Sequence, residues 1–202
     1  MKVKAAHQQQ HAYPAGVSDA RLDGLQRVDY FENSRRATYV QQEYAIQNLL
    51  ECAGYGPYFW GLTTSDGPGW ITRRLDGIDR SFVDYIARGA PYGADDGTVA
   101  PWAVLASLPF APEIALPTVR HFQDVYPAIT GEYCFRCSFN RSFPNATDAD
   151  AGWTSTYHFG INLGPVVLMC ENHRSGLSWR LMRGCGYVVA GLRRAGFTNG
   201  WL

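Results

Sequence analysis

A chain of 202 residues, 46% of them hydrophobic and 18% charged, is long enough for one domain with a real core, and this composition argues against wholesale disorder. The formal net charge of +0 gives no electrostatic basis for binding nucleic acid or an anionic membrane. Apolar runs are short, so we expect no transmembrane helix, which needs about 18 or more consecutive apolar residues.

The amino-terminal segment, residues 1–28, is basic and then polar and has no clear structural pattern. It lacks the apolar stretch of a secretory signal peptide, so we do not interpret it as one. We therefore predict that the structured domain occupies residues 29–202. The compartment stays undetermined, because an export signal could lie upstream of this sequence.

Two helices are predicted in the first half of the chain. The first has Ser34 as its N-cap and runs to about Ala53, where Gly54 ends it. Its predicted apolar face consists of Val40, Tyr44, Ile46, Leu49 and Leu50. A loop-like stretch rich in glycine and proline follows over 55–77. The second helix is predicted over 78–87, because Ile78, Phe82, Tyr85 and Ile86 recur at helical spacing.

Further helices are predicted in the second half, with one short strand. Proline is tolerated in the first turn of a helix, which favours helix starts just before Pro101 and at Pro112. The alternation over 133–139 indicates a strand, and 140–153 is predicted to be a loop. The predicted helices cover 98–108, 112–126, 164–174, 177–182 and 187–195. The last two ranges are predicted as either two short helices or one interrupted helix.

Three polar blocks place carboxylates beside aromatic rings and glycines: 29–38, 64–69 and 92–101. Such loops suit a pocket that holds and cleaves sugars. Glycoside hydrolysis needs two carboxyl groups, one as acid and one as base or nucleophile. The candidates for catalysis are Asp66, Asp95 and Glu32, and Asp96 is a candidate for substrate binding.

Each of these carboxylates also has a structural interpretation. Asp96 could be a helix N-cap, and its side chain should diverge from that of its neighbour Asp95. Asp66 lies in a sequence that makes a good turn by itself. Glu32 could instead pair with a neighbouring arginine.

Aromatic residues in the same loops are candidates for stacking against pyranose rings. They are Tyr30, Trp60, Trp70 and Tyr92. Core packing is the alternative for any of them, since composition alone cannot separate the two uses.

The five cysteines are an odd number, which excludes a full disulfide framework but leaves one or two bridges open. Cys134 and Cys137 form a C-x-x-C pair. A zinc site would need two more ligands at suitable spacing, and no histidine is placed convincingly for that. We therefore expect no metal site.

Six blocks in order carry a family resemblance: 29–38, 61–68, 92–101, 108–113, 164–172 and 191–197. Through them the chain resembles the glucoamylase-like family, whose members include endo-β-1,2-glucanases and part of the cyclic β-1,2-glucan synthases. The resemblance implies a mainly α fold, a partial (α/α)6 toroid with long loops and a short β hairpin or strand. It also implies carboxylate acid/base chemistry on an oligo- or polysaccharide, without metal or organic cofactor.

The chain departs from the family pattern in several places. It resembles only the carboxy-terminal portion, and a segment with a Ser-x-x-Asp-Thr pattern is missing. The stretch His7–Ala12 looks like a degraded form of a family block, and Leu163 stands where the family usually has Gln. We therefore expect a truncated or frame-shifted reading frame, whose incomplete toroid would expose apolar helix faces and favour self-association.

The functional hypothesis is a glycoside hydrolase-type domain for a β-linked glucan, β-1,2-glucan or a related oligosaccharide, that is incomplete in this chain. The alternative is a non-catalytic carbohydrate-binding remnant or pseudoenzyme from a truncated reading frame. A third class is a structural partner that completes its torus with another chain. Relatives of this family are often periplasmic or secreted.

Overall fold

The computed structural model describes residues 29–145, 152–198 and 202. Within them the chain is rich in helix with several small sheets, which confirms the mainly α class in this coarse form. The helices are α1 (Tyr30–Gln47), α2 (Pro101–Ala106), α3 (Pro112–Val125), α4 (Gly160–Ser175), α5 (Leu177–Gly184) and α6 (Gly186–Arg194), with a 3-10 turn at Pro127–Ile129.

The strands are short and form four small antiparallel sheets. They are β1 (Thr64–Ser65), β2 (Ile71–Leu75), β3 (Ile78–Phe82), β4 (Ile86–Ala87), β5 (Thr98–Val99), β6 (Thr130–Gly131), β7 (Cys134–Phe135), β8 (Phe139–Asn140) and β9 (Trp153–Thr154). The pairings are β1 with β4, β2 with β3, β6 with β7, and a three-stranded sheet in the order β5-β8-β9. The last sheet brings three distant parts of the chain to one place.

Helix α1 begins and ends earlier than predicted. Asp29, not Ser34, is the N-cap, and its carboxylate accepts a hydrogen bond from the backbone N–H of Glu32 at 3.0 Å. The helix stops at Gln47, six residues before the predicted end at Ala53, because Asn48 adopts the left-handed conformation with φ 43°.

The buried face of α1 is polar, which corrects the predicted apolar face. The residues that α1 buries are Tyr30, Ser34, Thr38, Gln41 and Ala45, whereas Val40, Ile46, Leu49 and Leu50 are exposed. The polar groups are satisfied internally: the amide oxygen of Gln41 accepts the N–H of Leu62 at 2.8 Å, and the hydroxyl of Thr38 donates to the carbonyl of Ser34.

The predicted helix over 78–87 is wrong. Residues Ile71–Leu75 and Ile78–Phe82 form an antiparallel hairpin in which Ile71 pairs with Phe82 and Leu75 with Ile78. Asp76 and Gly77 form the turn, with φ of 49° and 81°. Positive φ at both central residues is the geometry that suits the twist of a two-residue hairpin.

Helix α2 lies at the centre of the fold, and all six of its residues are buried. It packs against α3 and α4. Pro101 occupies its first turn as predicted, but Thr98 and Val99 form β5 instead of the helix start. The surrounding core is rich in aromatic edge-to-face contacts, for example between Phe59 and Phe139, whose ring centroids are 5.0 Å apart.

Helix α3 agrees with its prediction, running over Pro112–Val125 with Pro117 inside it. Two other elements differ. Helix α4 begins at Gly160, four residues before the predicted start at Gly164. The single strand predicted over 133–139 is instead β7 and β8, which belong to two different sheets, and the loop predicted over 140–153 has strand residues at both of its ends.

Of the two alternatives for the carboxy-terminal stretch, two short helices or one interrupted helix, the structure has two helices, α5 and α6. Neither contains a buried residue. None of the helices in the described ranges combines the length and apolar character needed to cross a bilayer. The predictions for residues 1–28, including the block His7–Ala12, lie outside the described residues.

Candidate active site

Asp66 directly follows β1 and is 7% exposed. Its two carboxylate oxygens accept hydrogen bonds from the hydroxyls of Ser138 and Ser155, which are 72 and 89 residues away in the sequence. Ser138 also donates to the backbone carbonyl of Asp66 at 2.9 Å. The carboxylate is therefore fixed by two hydroxyl groups that arrive from separate loops.

Two neighbouring groups approach Gly67 too closely to leave room for a side chain. A Cβ at this position would lie 2.2 Å from the carbonyl oxygen of Val83 and 2.3 Å from Nη2 of Arg88. Both distances are well inside van der Waals contact. The turn after Asp66 therefore accepts no side chain without displacing Arg88.

Arg88 and Asp96 form a buried ion pair beside Asp66, with side chains that are 0% and 3% exposed. Nε and Nη2 of Arg88 donate to the two oxygens of Asp96 at 2.8 and 3.0 Å, a bidentate geometry. Nη1 donates to the carbonyl of Ser65 at 2.7 Å, which ties the pair to the strand before Asp66.

The pair holds Asp96 in its ionised form. Burial by itself disfavours the carboxylate, but the hydrogen bonds and charge of Arg88 outweigh it, so the pKa of Asp96 lies below its ordinary value. The backbone N–H groups of Val83 and Thr98 donate to the same carboxylate. Asp96 thus organises the loops, and all its oxygen atoms are engaged.

Asp95 points elsewhere and accepts hydrogen bonds from two tyrosines. The hydroxyl of Tyr55 donates to Oδ1 at 2.7 Å and that of Tyr44 to Oδ2 at 3.0 Å. Burial and the nearby carboxylate raise the pKa of both tyrosines well above the ordinary value. Their hydroxyls therefore remain protonated donors.

The structure brings Asp66, Asp95 and Asp96 to neighbouring loops, with Arg88 as the link between the first and the last. Asn140 adds to the same junction, because its amide donates to the carbonyl of Asp96 and to the hydroxyl of Thr98, each at 2.9 Å. The side chains of Asp95 and Asp96 diverge, as adjacent positions should. Among these three carboxylates, Asp96 is the one whose oxygens accept hydrogen bonds from the guanidinium of Arg88.

Glu32 lies in a different environment, on the first turn of α1. It pairs with Arg36 at 2.8 Å and with Arg35 at 3.9 Å, which is the structural alternative considered above. Arg35 also pairs with Glu113 of α3 at 3.2 Å. The hydrogen bond from the hydroxyl of Tyr39, together with Arg35, lowers the pKa of Glu113. The ion pair between Arg35 and Glu113 was not predicted from the sequence.

The four aromatic candidates fall into two groups. Tyr30 and Trp60 are buried, and the indole N–H of Trp60 donates to the hydroxyl of Thr118 at 2.9 Å inside the core. Trp70 and Tyr92 are 74% and 88% exposed. Only the second group presents a ring face that a sugar could reach.

A further set of aromatic residues, which we call the aromatic shelf, consists of Tyr85, Tyr157 and Phe159. The rings of Tyr157 and Phe159 are stacked with centroids 5.6 Å apart, and Tyr85 meets Phe159 edge-on at 6.3 Å. Tyr85 and Tyr157 are 51% and 60% exposed. The shelf is joined to Asp66, because the N–H of Tyr157 donates to the Ser155 hydroxyl at 3.1 Å.

Sequence reasoning missed the shelf for two reasons. Tyr85 was assigned to the apolar face of a helix that does not exist, and the alternation Tyr157-His158-Phe159 after a loop was not used as a signal. Arg88, Ser138 and Ser155 carry no motif of their own. Their roles depend on contacts across long sequence separations.

The cysteines and the possible metal ligands form neither a disulfide nor a metal centre within the described ranges. All five cysteines are free thiols, and Cys134 is exposed whereas Cys137 is buried. Burial, followed by the neighbouring Asp66, raises the pKa of the Cys137 thiol to about 12. Within the described ranges, His, Cys, Asp and Glu residues form no cluster of three that could hold a metal ion.

Comparison with known proteins identifies clear relatives. Residues 7–186 match the family model for glycoamylases, described as "Putative glucoamylase". The chain is 32% identical over 168 residues to an exo β-1,2-glucooligosaccharide sophorohydrolase (non-reducing end) of Parabacteroides distasonis, a match that covers 83% of this chain and 20% of the relative.

Solved structures show the same relationship. A structure from Bacteroides uniformis, described as a "putative glucoamylase", superposes with a TM-score of 0.78 at 32% identity, covering 99% of this chain and 42% of that one. An endo-β-1,2-glucanase from Chitinophaga pinensis, in complex with sophorotriose and glucose, gives a TM-score of 0.78 at 30% identity with the same coverage. The chain thus spans less than half the length of these relatives.

Proposed function

The chain belongs to the glucoamylase-like family, and from this premise we propose that it forms part of a glycoside hydrolase domain acting on a β-linked glucan. We propose β-1,2-linked glucose as the substrate class. The names of the sophorohydrolase and the endo-β-1,2-glucanase among its relatives support this class. The proposal concerns a domain of which this chain supplies one portion.

We also propose that residues 29–202 are one portion of an (α/α)6 toroid. The superposition on solved relatives over 99% of this chain supports the shared architecture. In such a fold, loops at one end of the helices form the pocket. The loops that carry Asp66, Asp95 and the aromatic shelf are the candidates for that end.

The observation that carries the proposal is the connection between Asp66 and the aromatic shelf. One residue, Ser155, donates its hydroxyl to the carboxylate and accepts the N–H of Tyr157. A carboxylate next to exposed flat rings is what a sugar site requires, because rings position the pyranose and the carboxylate supplies the chemistry.

The carboxylates take different roles in this proposal. Asp66 is the candidate base or nucleophile, since hydrogen bonds from the hydroxyls of Ser138 and Ser155 fix the orientation of its two carboxylate oxygens. Asp95, oriented by Tyr44 and Tyr55, is the second candidate. Asp96 is excluded as a proton donor by its lowered pKa and its pairing with Arg88, and we assign it to positioning the loops.

The proton donor is then still to be assigned. Glu32 remains the third candidate, although its pairing with Arg35 and Arg36 favours a structural role. We propose that the donor comes from the part of the domain that this chain does not span. Trp70 and Tyr92 remain candidates for outer sugar contacts. This chemistry needs neither metal nor organic cofactor.

A second candidate function is glycan binding without hydrolysis. It is favoured by the combination of an exposed aromatic shelf with an Asp66 that is only 7% exposed. A binding module would keep the shelf and the loop network but would have no working acid and base.

The experiment is release of reducing ends by the purified chain from β-1,2-, β-1,3- and β-1,4-glucans. Because we place the proton donor outside this chain, we expect the folded chain to bind the β-1,2-glucan without cleaving it. Cleavage of the β-1,2-glucan would instead mean that both catalytic carboxylates lie in this chain, and Asp66→Asn should then lower the rate by about a thousandfold or more. Asp95→Asn tests the second candidate in the same way. Asp79→Asn, on the exposed hairpin, is the matched control and should leave the rate unchanged.

Two outcomes without cleavage have defined meanings. If a folded chain releases nothing but binds β-1,2-glucan, the chain is a binding portion and hydrolysis needs the rest of the domain. If it neither binds nor cleaves any of the three glucans, the proposed substrate class for this chain is wrong.

A further inference from the structure

Cys137 is a buried residue, 2% exposed, that lies where two parts of the proposed site meet. Its backbone N–H donates to the carbonyl of Tyr157 at 3.1 Å, which joins it to the aromatic shelf. The next residue in the chain, Ser138, donates its hydroxyl to the carboxylate of Asp66. Cys137 therefore lies between the shelf and that carboxylate.

Helix α4 contacts the side chain of the same residue. Asn162, in the first turn of α4, is 5% exposed, and its Nδ2 donates to Sγ of Cys137 at 3.1 Å. The backbone N–H of Asn162 donates to the carbonyl of Phe159, a member of the shelf, at 2.9 Å. Because α4 packs against the buried helix α2, the sulfur connects the core of the fold to the loops of the site.

The hydrogen of the Cys137 thiol has a charged acceptor nearby. Burial, followed by the neighbouring carboxylate of Asp66, raises the pKa of Cys137 to about 12. At neutral pH the group is therefore a protonated thiol, which donates one hydrogen bond while its sulfur accepts another. Asn162 uses the accepting side of the sulfur, so the S–H hydrogen is left for Asp66.

Packing alone does not account for these contacts. A buried cysteine commonly acts as a small hydrophobic residue, but the side chain of Cys137 meets the polar groups of Asn162 and Asp66. A buried amide that lost its acceptor would be left unsatisfied, which is unfavourable. Asp66 in turn receives hydroxyl donors from Ser138 and Ser155, and a thiol would be its third neutral donor.

We propose that Cys137 is a positioning residue, whose thiol passes a hydrogen bond from Asn162 of α4 to the carboxylate of Asp66 and thereby fixes that carboxylate relative to the shelf. We call this arrangement the thiol relay. Its existence is independent of any substrate, whereas its effect on sugar binding rests on the proposed function. The thiol itself takes no part in chemistry, because a protonated thiol is a poor nucleophile.

The S–H stretching band in the infrared spectrum of the full chain tests the relay without any sugar. Cys137→Ser identifies the band of Cys137, because that band disappears. Asp66→Asn replaces the charged acceptor with a neutral group of similar shape, so we expect the Cys137 band to move to higher frequency as its hydrogen bond weakens. Asn162→Ala should move the band in the same direction by a smaller amount, because a sulfur that accepts no hydrogen bond is a weaker donor.

Asp79→Asn, at an exposed position on the β2–β3 hairpin, is the matched control and should leave the Cys137 band in place. A band with the same frequency in the unmodified chain and in folded Asp66→Asn overturns the relay. Should Asp66→Asn fail to fold, the unmodified chain decides. The relay predicts a lower frequency for Cys137 than for the exposed Cys134, identified by Cys134→Ser, and an equal or higher frequency overturns it.

Calorimetric titration with a β-1,2-linked glucose trisaccharide tests the positioning role. Cys137→Ala removes both hydrogen bonds and should raise the Kd by about tenfold. Cys137→Ser keeps a donor and an acceptor and should stay within about twofold of the unmodified chain. Cys185→Ala, at the start of α6, is the control and should not change the Kd.

The outcomes separate the two proposals. Equal Kd values for Cys137→Ala and the unmodified chain overturn the positioning role, and so does a Cys137→Ser variant that binds as weakly as Cys137→Ala. A chain that binds no trisaccharide but shows the expected infrared shifts contradicts the proposed function and supports the thiol relay.

Discussion

The region around α2 and the region of α5 and α6 differ in how far their side chains are buried by the rest of the chain. In the first, all six residues of α2 are buried, and the side chain of Arg88 binds three segments, at Ser65, Val83 and Asp96. In the second, no helix residue is buried. The same sequence therefore specifies one region by internal contacts and leaves the other with apolar faces directed outwards.

This difference separates loops that are fixed by internal contacts, as the proposed site needs, from helices whose outer side chains face solvent. In the central region, buried charges and hydrogen bonds fix the positions of the side chains. Burying these charges carries an unfavourable free energy of desolvation. In the carboxy-terminal region, the side chains of α5 and α6 are exposed or half-buried, and the ion pair between Arg174 and Glu171 lies at the surface. Substitutions should therefore have large effects in the first region and small ones in the second, when the chain is studied alone.

The largest expected effect is for Arg88→Met, which leaves Asp96 buried without its cation. We expect the free energy of unfolding to fall by about 3–5 kcal/mol, measured by urea titration. The matched change in the other region is Arg174→Met, which breaks the exposed pair with Glu171 at 2.9 Å. It should alter the stability by no more than the error of the measurement. Equal losses for the two variants would contradict the contrast between the regions.

Substitutions of glycine by alanine should change the free energy of unfolding by smaller amounts, with opposite signs in the two regions. Gly67→Ala places a Cβ about 2.2 Å from the carbonyl of Val83 and should lower the free energy of unfolding by about 1–3 kcal/mol. In α6 a Cβ at Gly191 would meet nothing within 4 Å. Gly191→Ala should therefore raise the free energy of unfolding by about 0.5–1 kcal/mol, because alanine has the higher helix propensity. Thermal and urea unfolding of both variants would reveal either sign, and a stabilising Gly67→Ala would refute the close packing around Arg88.

Much of the architecture could be predicted where the signal is local. Pro112 at a helix start predicted α3. The ranges 177–182 and 187–195 were predicted to be helical, as two short helices or one interrupted helix, and they form α5 and α6. The β2–β3 hairpin was missed although its signal is local too, because the dipeptide Asp76-Gly77 favours a two-residue hairpin turn. The helical spacing of Ile78, Phe82 and Tyr85 led instead to the wrong prediction of a helix over 78–87.

Other features could not be predicted from one sequence, because they depend on contacts between distant segments. The polar side of α1 is buried because Gln41 hydrogen-bonds Leu62, and no periodicity of apolar residues signals this. Asp66 was singled out from its turn, but Ser138 and Ser155 reach it from 72 and 89 residues away. The polar blocks of the sequence singled out the candidate carboxylates, whereas only the three-dimensional structure separated the exposed aromatic residues from the buried Trp60.

The most direct test of the central claim, that a glycan site is built from Asp66 and the aromatic shelf, is calorimetric titration with a β-1,2-linked glucose trisaccharide. The measurement compares Tyr157→Ala with Tyr187→Ala, since both tyrosines are exposed, at 60% and 92%, but only Tyr157 lies on the shelf. We expect Tyr157→Ala to raise the Kd by about tenfold, equivalent to about 1.4 kcal/mol, and Tyr187→Ala to leave it unchanged. Equal Kd values for both variants and the unmodified chain would show that the sugar binds elsewhere.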